Sequence, residues 1–264
     1  MPKPQQHNRG NSVQVLATEQ HDHIITATVQ RPEAKNAINF EVMDHLETLL
    51  DRIEEQEEIR CLIFTGGDGV FISGGDLKEF HGIQSAQEAE KMAVRMGTIL
   101  KRLEKLPCWT IAAVNGAAYG GGWEMMLAFD FRIASPAASF HFTQSKFYLP
   151  PGWGGLTRLV EKVGRSKALQ WLGEAADVDS ESALAHGLID QVVQGDTLIE
   201  QARAWGEAIA HNDRAFIDTL KQGAITYSRA RWQAIERELT PFARFWEHEE
   251  HIARVEKFLE RNQE

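Results

Sequence analysis

Six short apolar runs punctuate the first half of the chain: VQVLAT (13–18), IITATV (24–29), CLIFT (61–65), WTIAAV (109–114), and the shorter FRIAS and SFHF within 131–142. Their β-branched and aromatic content over four to six residues predicts strands. Between them the spacing changes to the helical period. NFEVMDHLETLLDRIEE predicts a helix capped by Asn39, with Val42, Leu46, Leu49, Leu50 and Ile53 on one face. A second helix is predicted from Ser85 to Leu106, stopped by Pro107. From about Gly154 the pattern is almost wholly helical. GLTRLVEKVG, SKALQWLG and SESALAHG are expected to close at Gly164, Gly173 and Gly187; TLIEQARAWGEAIAH, a stretch after Asn212 and the terminal FARFWEHEEHIARVEKFLERN follow.

Strands alternating with helices of this size predict an α/β layer architecture. No Pro- or Ser-rich linker divides the 264 residues. The chain is therefore read as a flexible tail (1–12), a core (13–195) and a C-terminal helical oligomerisation region (196–264). Phe242, Phe245, Trp246 and Phe258 lie on the terminal amphipathic segment. Such a stripe belongs to a core or to a subunit interface, and its terminal position favours the interface.

Composition mainly excludes. Apolar and charged fractions are those of a soluble globular chain. No apolar run reaches the roughly 18 residues of a membrane span, and MPKPQQHNRGNS has no apolar stretch of a secretory leader, so a cytoplasmic location is expected. The net charge of −10 argues against a nucleic-acid partner. Cys61 and Cys108 sit in apolar runs without CxxC spacing, which predicts buried free thiols in a reducing compartment. His248-Glu249-Glu250-His251 lacks a third partner and is read as a solvated helix face, so no metal is expected. Nucleotide-binding glycine loops, HExxH and GxSxG are absent.

The candidate chemistry lies in a design that occurs twice. CLIFTGGDGVFISGGDLKEF and WTIAAVNGAAYGGGWEMML both read as a buried strand, a glycine-rich loop and a helix start. Glycine costs about 0.5–1 kcal/mol against alanine in regular structure, so its clustering before a helix implies a need for bare backbone. In a parallel sheet such turns gather at one edge, where ligands bind. N–H groups at a helix start have no partner within the helix and favour negative charge. A single glycine triplet would be read as tight helix-on-strand packing. Two copies, with Glu124 one step beyond Gly121 and Gly122, point instead to a site for a developing oxyanion.

SGGDLKEF together with NGAAYGGGWE resembles the paired signature of the crotonase (enoyl-CoA hydratase/isomerase) superfamily, and the likeness runs from RPEAKNAINF (31–40) to FLERN. The resemblance implies a spiral of ββα units with a C-terminal helical trimerisation region, giving a homotrimer or a dimer of trimers. It also implies an acyl-CoA substrate, the amides of Gly75 and Gly121 as oxyanion donors, and Glu124 as the first catalytic glutamate. By the same likeness Ala34, Lys35 and Ala37 wrap the CoA, Ser73, Asp76 and Leu77 flank it, and Phe258 and Arg261 reach a neighbouring subunit's CoA. Asp130 falls at a position of structural role. No cofactor is implied beyond the CoA carried by the substrate.

The position of the second catalytic glutamate, counted back from PPGWGG (150–155), falls on Gln144. Glutamine orients a water or a carboxylate but does not exchange protons. The departure favours reactions with one proton carrier, and the chain is also similar to ethylmalonyl-CoA decarboxylases across DFRIA and PGWGGLTRLVEKVG, including Trp153. Phe80, Tyr119, Trp123 and Phe147 are expected to line an apolar acyl pocket, with Trp123 the foremost candidate to touch substrate. The expected activity is that of an enoyl-CoA hydratase/isomerase. The alternatives are a malonyl-type CoA decarboxylase and, in another class, a non-catalytic acyl-CoA-binding or structural subunit.

Overall fold

The computed structural model of the chain describes residues 15–226 and 229–261. The expected tail, the first two residues of VQVLAT and the last three residues of the chain lie outside them. β1 (Leu16–His21) and β2 (Ile24–Val29) pair antiparallel. Thereafter a largely buried strand is followed each time by a glycine-bearing or Pro-bearing turn and a three-residue strand. β3 (Cys61–Gly66) precedes β4 (Val70–Ile72), β5 (Trp109–Val114) precedes β6 (Ala117–Tyr119), and β7 (Phe131–Ala134) precedes β8 (Ser139–His141). With β9 (Asp177–Asp179) and β10 (Gln191–Val192) they build two sheets, ordered β1-β2-β3-β5-β7-β10 and β4-β6-β8-β9.

Each rung advances one strand in both sheets, which is the ββα spiral the resemblance implies. Steps β3–β5–β7 and β4–β6–β8 are parallel, with Cys61 opposite Trp109, Ile111 opposite Phe131 and Ala117 opposite Ser139. Parallel pairing puts the carboxyl ends of β4, β6 and β8 along one edge. The chain leaves the first two of these ends directly into α2 (Leu77–Phe80) and α4 (Gly121–Met126), the two predicted glycine turns.

α1 (Phe40–Glu55) follows the predicted pattern, burying Val42, Met43, Leu46, Leu49, Leu50 and Ile53. Its cap is Asn39, whose Oδ1 accepts the Val42 N–H at 2.9 Å. Asn39→Ala is expected to cost about 1 kcal/mol and to lower the melting temperature by roughly 2–4 °C, read by circular dichroism. α3 (Ala86–Lys105) is capped by Ser85, with Glu88 returning a bond, and it ends where Pro107 disfavours helical backbone at Leu106.

The later helices are α5 (Gly155–Val163), α6 (Arg165–Glu174), α7 (Ser180–Ala185), α8 (Leu198–Ile209), α9 (Arg214–Thr226), α10 (Arg229–Trp246) and α11 (Glu249–Arg261). Two expectations are corrected here. Gly173 does not close α6. The helix runs on to a left-handed Ala175, and the Ala176 N–H donates back to the Trp171 carbonyl at 2.9 Å, a 6→1 closure anchored by the buried Trp171 ring. The terminal segment is not one helix. It breaks at Glu247 and His248, where His248 Nδ1 accepts the Glu250 N–H and starts α11.

That break lets α10 lie along α3 while α11 packs on the 3₁₀ turn Thr143–Phe147. Phe242 and Trp246, read as a subunit interface, are buried in the chain's own main core with Leu239, whereas Phe258 is 42% exposed. α8 covers the other face of the six-stranded sheet, placing Leu198 and Ala202 on Ile63, Ile111 and Ile133. Both thiols are buried and unpaired, and burial pushes Cys108 up to about 12. Lys221 is buried beside them, donating to the Cys108 carbonyl and pairing with Asp130, which also accepts the Thr110 N–H and hydroxyl. Among the described residues no helix is long and apolar enough to cross a membrane.

Candidate active site

Three turns, not two, meet at the strand edge. In the first, Gly74 has φ 99°, and a Cβ on it would lie 3.1 Å from the Tyr119 carbonyl oxygen and 3.3 Å from the Gly121 nitrogen. A glycine is required there both by conformation and by close approach to the second turn. Around Gly75 the flanking backbone bonds run to Ile38: the Ile38 N–H donates to the Gly74 carbonyl, and the Asp76 N–H to the Ile38 carbonyl. Within the described residues neither the Gly75 nor the Gly121 N–H has an acceptor. Gly121 is the first residue of α4, where such an orphan donor is expected.

The third turn is Gly152–Gly155, ahead of α5. The Trp153 indole packs against Gly121, where any Cβ would run into the ring, and its Cζ2 lies 3.6 Å from the Cβ position of Gly75. Trp153 is only 4% exposed. One indole thus touches the glycines of both earlier turns.

Glu124, on the opening turns of α4, is 3% exposed. Its Oε2 accepts the N–H groups of Trp153 at 2.8 Å and Gly155 at 3.0 Å; its Oε1 accepts those of Gly152 at 3.3 Å and the Gln144 side-chain amide at 3.1 Å. Burial pushes the carboxyl up to about 7, against the pull of the Trp153 N–H, the Gln144 amide and the Gly152 N–H, with nearby Glu238 adding to the rise. Gln144 is oriented in turn by the Trp123 indole N–H, which donates to its Oε1 at 3.3 Å. The structure therefore joins Glu124 and Gln144 directly, as their sequence positions imply.

The third turn is locked from every side. Arg158, 1% exposed, donates to the carbonyls of Trp153 and Gly154 and forms a two-pronged pair with Glu104 at 3.0 and 2.8 Å. Arg231 of α10 pairs with the same Glu104. Glu238, also on α10, accepts the Leu156 and Thr157 N–H groups at the start of α5. Sequence reasoning treated PPGWGG as a marker for counting and missed Gly152, Trp153, Gly155 and Arg158 as parts of the site. The signal was present, since glycines directly ahead of a helix recur there for a third time.

The segment expected to wrap CoA is tied to the first turn. The Ser73 hydroxyl donates to the Ala34 carbonyl, and Arg31 donates to the Ala37 carbonyl at 2.6 Å and pairs with Asp76 at 2.9 Å. Asp76 also caps α2, so its carboxylate is committed to structure. Lys35 is left-handed and exposed. Leu77 lines a cavity of about 360 Å³ with His81, Ile83, Trp246, His251 and Val255.

Of the four aromatics expected to line an acyl pocket, Trp123 and Phe80 are buried in the core, and Tyr119 and Phe147 are half-buried. Trp123 is fully buried against Phe142, so it supports Gln144 rather than facing a ligand. Tyr119 stacks on His141, itself held between Ser139 and Asp177. Phe80 is buried beneath Gly75 and against Phe40. Phe147 packs on Phe258 of the same chain, and Arg261 ends α11 in an exposed position. The HEEH motif is structural rather than a solvated face throughout: His251 is buried and its Nδ1 lies 2.8 Å from the Phe147 carbonyl oxygen. Among the described residues no group of three or more metal-ligating side chains forms.

A ββα spiral with this strand order in its two sheets defines a crotonase-fold protein. The family model for enoyl-CoA hydratase/isomerase matches residues 19–264, and the chain belongs to that family of acyl-CoA enzymes. It is 33% identical over 208 residues to an ethylmalonyl-CoA decarboxylase of Gallus gallus, covering 78% of this chain and 70% of that one. It is 32% identical over 205 residues to a short-chain-enoyl-CoA hydratase of Clostridium acetobutylicum, covering 77% and 78%. The crystal structure of an enoyl-CoA hydratase from Bacillus halodurans superposes with a TM-score of 0.85 at 25% identity, covering 92% of this chain and 99% of that one.

Proposed function

We propose that the protein forms and protonates the enolate of a CoA thioester, with the thioester oxygen on the Gly75 and Gly121 N–H groups and Glu124 as the proton carrier. The observation that carries this reading is that two glycine turns with amides lacking acceptors both touch Trp153, whose own N–H is bound by a buried carboxyl raised to about 7. Oε1 is the oxygen for exchange, because its two bonds are longer than those of Oε2. In hydration Glu124 takes a proton from water as the water oxygen bonds to the β-carbon, the π electrons move to the thioester oxygen, and Glu124 then gives that proton to the α-carbon as the enolate collapses. In isomerisation the proton leaves one carbon and returns at another. No metal or redox group enters either sequence.

Decarboxylation is a second reading, favoured by one observation: Gln144 stands beside Glu124 where a second acid would serve hydration, and Trp123 fixes its amide nitrogen towards the carboxylate. The C–CO₂ bond breaks, its electrons pass to the thioester oxygen, and one acid suffices to protonate the α-carbon. A relative named as an ethylmalonyl-CoA decarboxylase is compatible with it. The test is mass spectrometry of the purified protein with crotonyl-CoA, a 3-enoyl-CoA, methylmalonyl-CoA and ethylmalonyl-CoA. Addition of water or movement of the double bond supports the first reading. Loss of CO₂ alone replaces it with the second, and no turnover of any thioester overturns both.

A further inference from the structure

The turn carrying Trp153 has little freedom to retreat. Its N–H groups at 152, 153 and 155 are bound by Glu124, its carbonyls at 153 and 154 by Arg158, and the start of the following helix by Glu238. Phe242 of α10 packs directly on Gly152, where a Cβ would meet its ring. The indole packs against Gly121 and passes beside Gly75, at the positions where side chains on those glycines would lie. A thioester seated on the Gly75 and Gly121 N–H groups therefore has this ring as an immediate neighbour. With the backbone fixed, the ring is a wall of that seat.

We infer that Trp153 determines acyl-group size, as the wall against which the acyl group packs. The inference rests on the proposed seat of the thioester at Gly75 and Gly121. A bulky ring on a fixed backbone leaves space for a short or compact acyl group, and a long straight chain collides with it. Shortening the side chain removes the wall.

The test is calorimetric binding of the unreactive saturated thioesters acetyl-, butyryl- and octanoyl-CoA to the wild type and to Trp153→Ala and Trp153→Phe, with free CoA as control. The expected result is wild-type preference for butyryl- over octanoyl-CoA, a preference that shrinks at least tenfold in Trp153→Ala and by less in Trp153→Phe. Tryptophan emission should shift on butyryl-CoA binding in the wild type, and most of that shift should disappear in Trp153→Phe, which keeps an aromatic ring in the core. An unchanged ratio of the two affinities in a folded variant overturns the inference and leaves the thioester reading standing. Failure of wild type and both variants to bind any acyl-CoA more tightly than free CoA overturns both.

Discussion

Glu124→Gln is expected to lower turnover by roughly 10²–10⁴-fold, the range lost with a positioned acid or base. It should also lower stability. Four N–H donors face the carboxylate and no acceptor does. An amide in its place turns an NH₂ group towards donors, leaving at least one buried group unsatisfied at about 1–3 kcal/mol. Glu124→Ala removes every acceptor and should cost more. Burial raises the folded carboxyl to about 7, above the value of about 4.3 in an unfolded chain. The folded state thus holds more proton between those values. Stability from this group is full below the unfolded value and is lost as pH rises through about 7. Denaturant midpoints measured across that window should fall with pH in the wild type and be flatter in the glutamine variant. Near-wild-type turnover in a folded Glu124→Gln would leave Glu124 as a clamp on the third turn and nothing more.

That double duty explains what was and was not legible in the sequence. Local signals were strong: the Asn39 cap, the Pro107 stop and the glycine turns before α2 and α4 all stand where spacing and turn chemistry put them. The neighbouring positions of Glu124 and Gln144 were legible, because a motif fixes each to its own turn and the structure brings the two side chains into contact; their catalytic roles belong to the proposal. What failed was the direction of long side chains. Trp123 and Trp153 both flank glycines in the sequence, yet one packs into the core on Phe142 and the other touches the glycines of two distant turns. Neither outcome follows from local periodicity, since it is decided by which turns the parallel sheets bring side by side. The C-terminal aromatics failed similarly. An amphipathic face states that it needs a partner, and here α3 and the third turn of the same chain supply one for Phe242 and Trp246.

The ionic strut behind the site shows how deeply α10 is built into it, and it carries the other large expected effect. Arg158→Met should destabilise the protein by about 3–5 kcal/mol, the usual result of removing one partner of a buried pair. Burial alone would raise the Glu104 carboxyl, but the guanidinium groups of Arg158 and Arg231 outweigh it and hold it below the ordinary range. Arg231 remains after the substitution, which places the expected loss at the lower end. The carbonyls of Trp153 and Gly154 lose their donor as well. Those carbonyls belong to the residues whose N–H groups orient Glu124, or lie next to them, so slackening the turn should reduce kcat more than it raises KM. Glu104→Gln, which keeps an acceptor for both arginines, should lose less of each. Urea denaturation at neutral pH with steady-state kinetics on the same samples separates the effects. A loss below about 1 kcal/mol, the level of an exposed pair, would show that the strut is dispensable and that Glu124, Glu238 and Phe242 suffice to hold the turn.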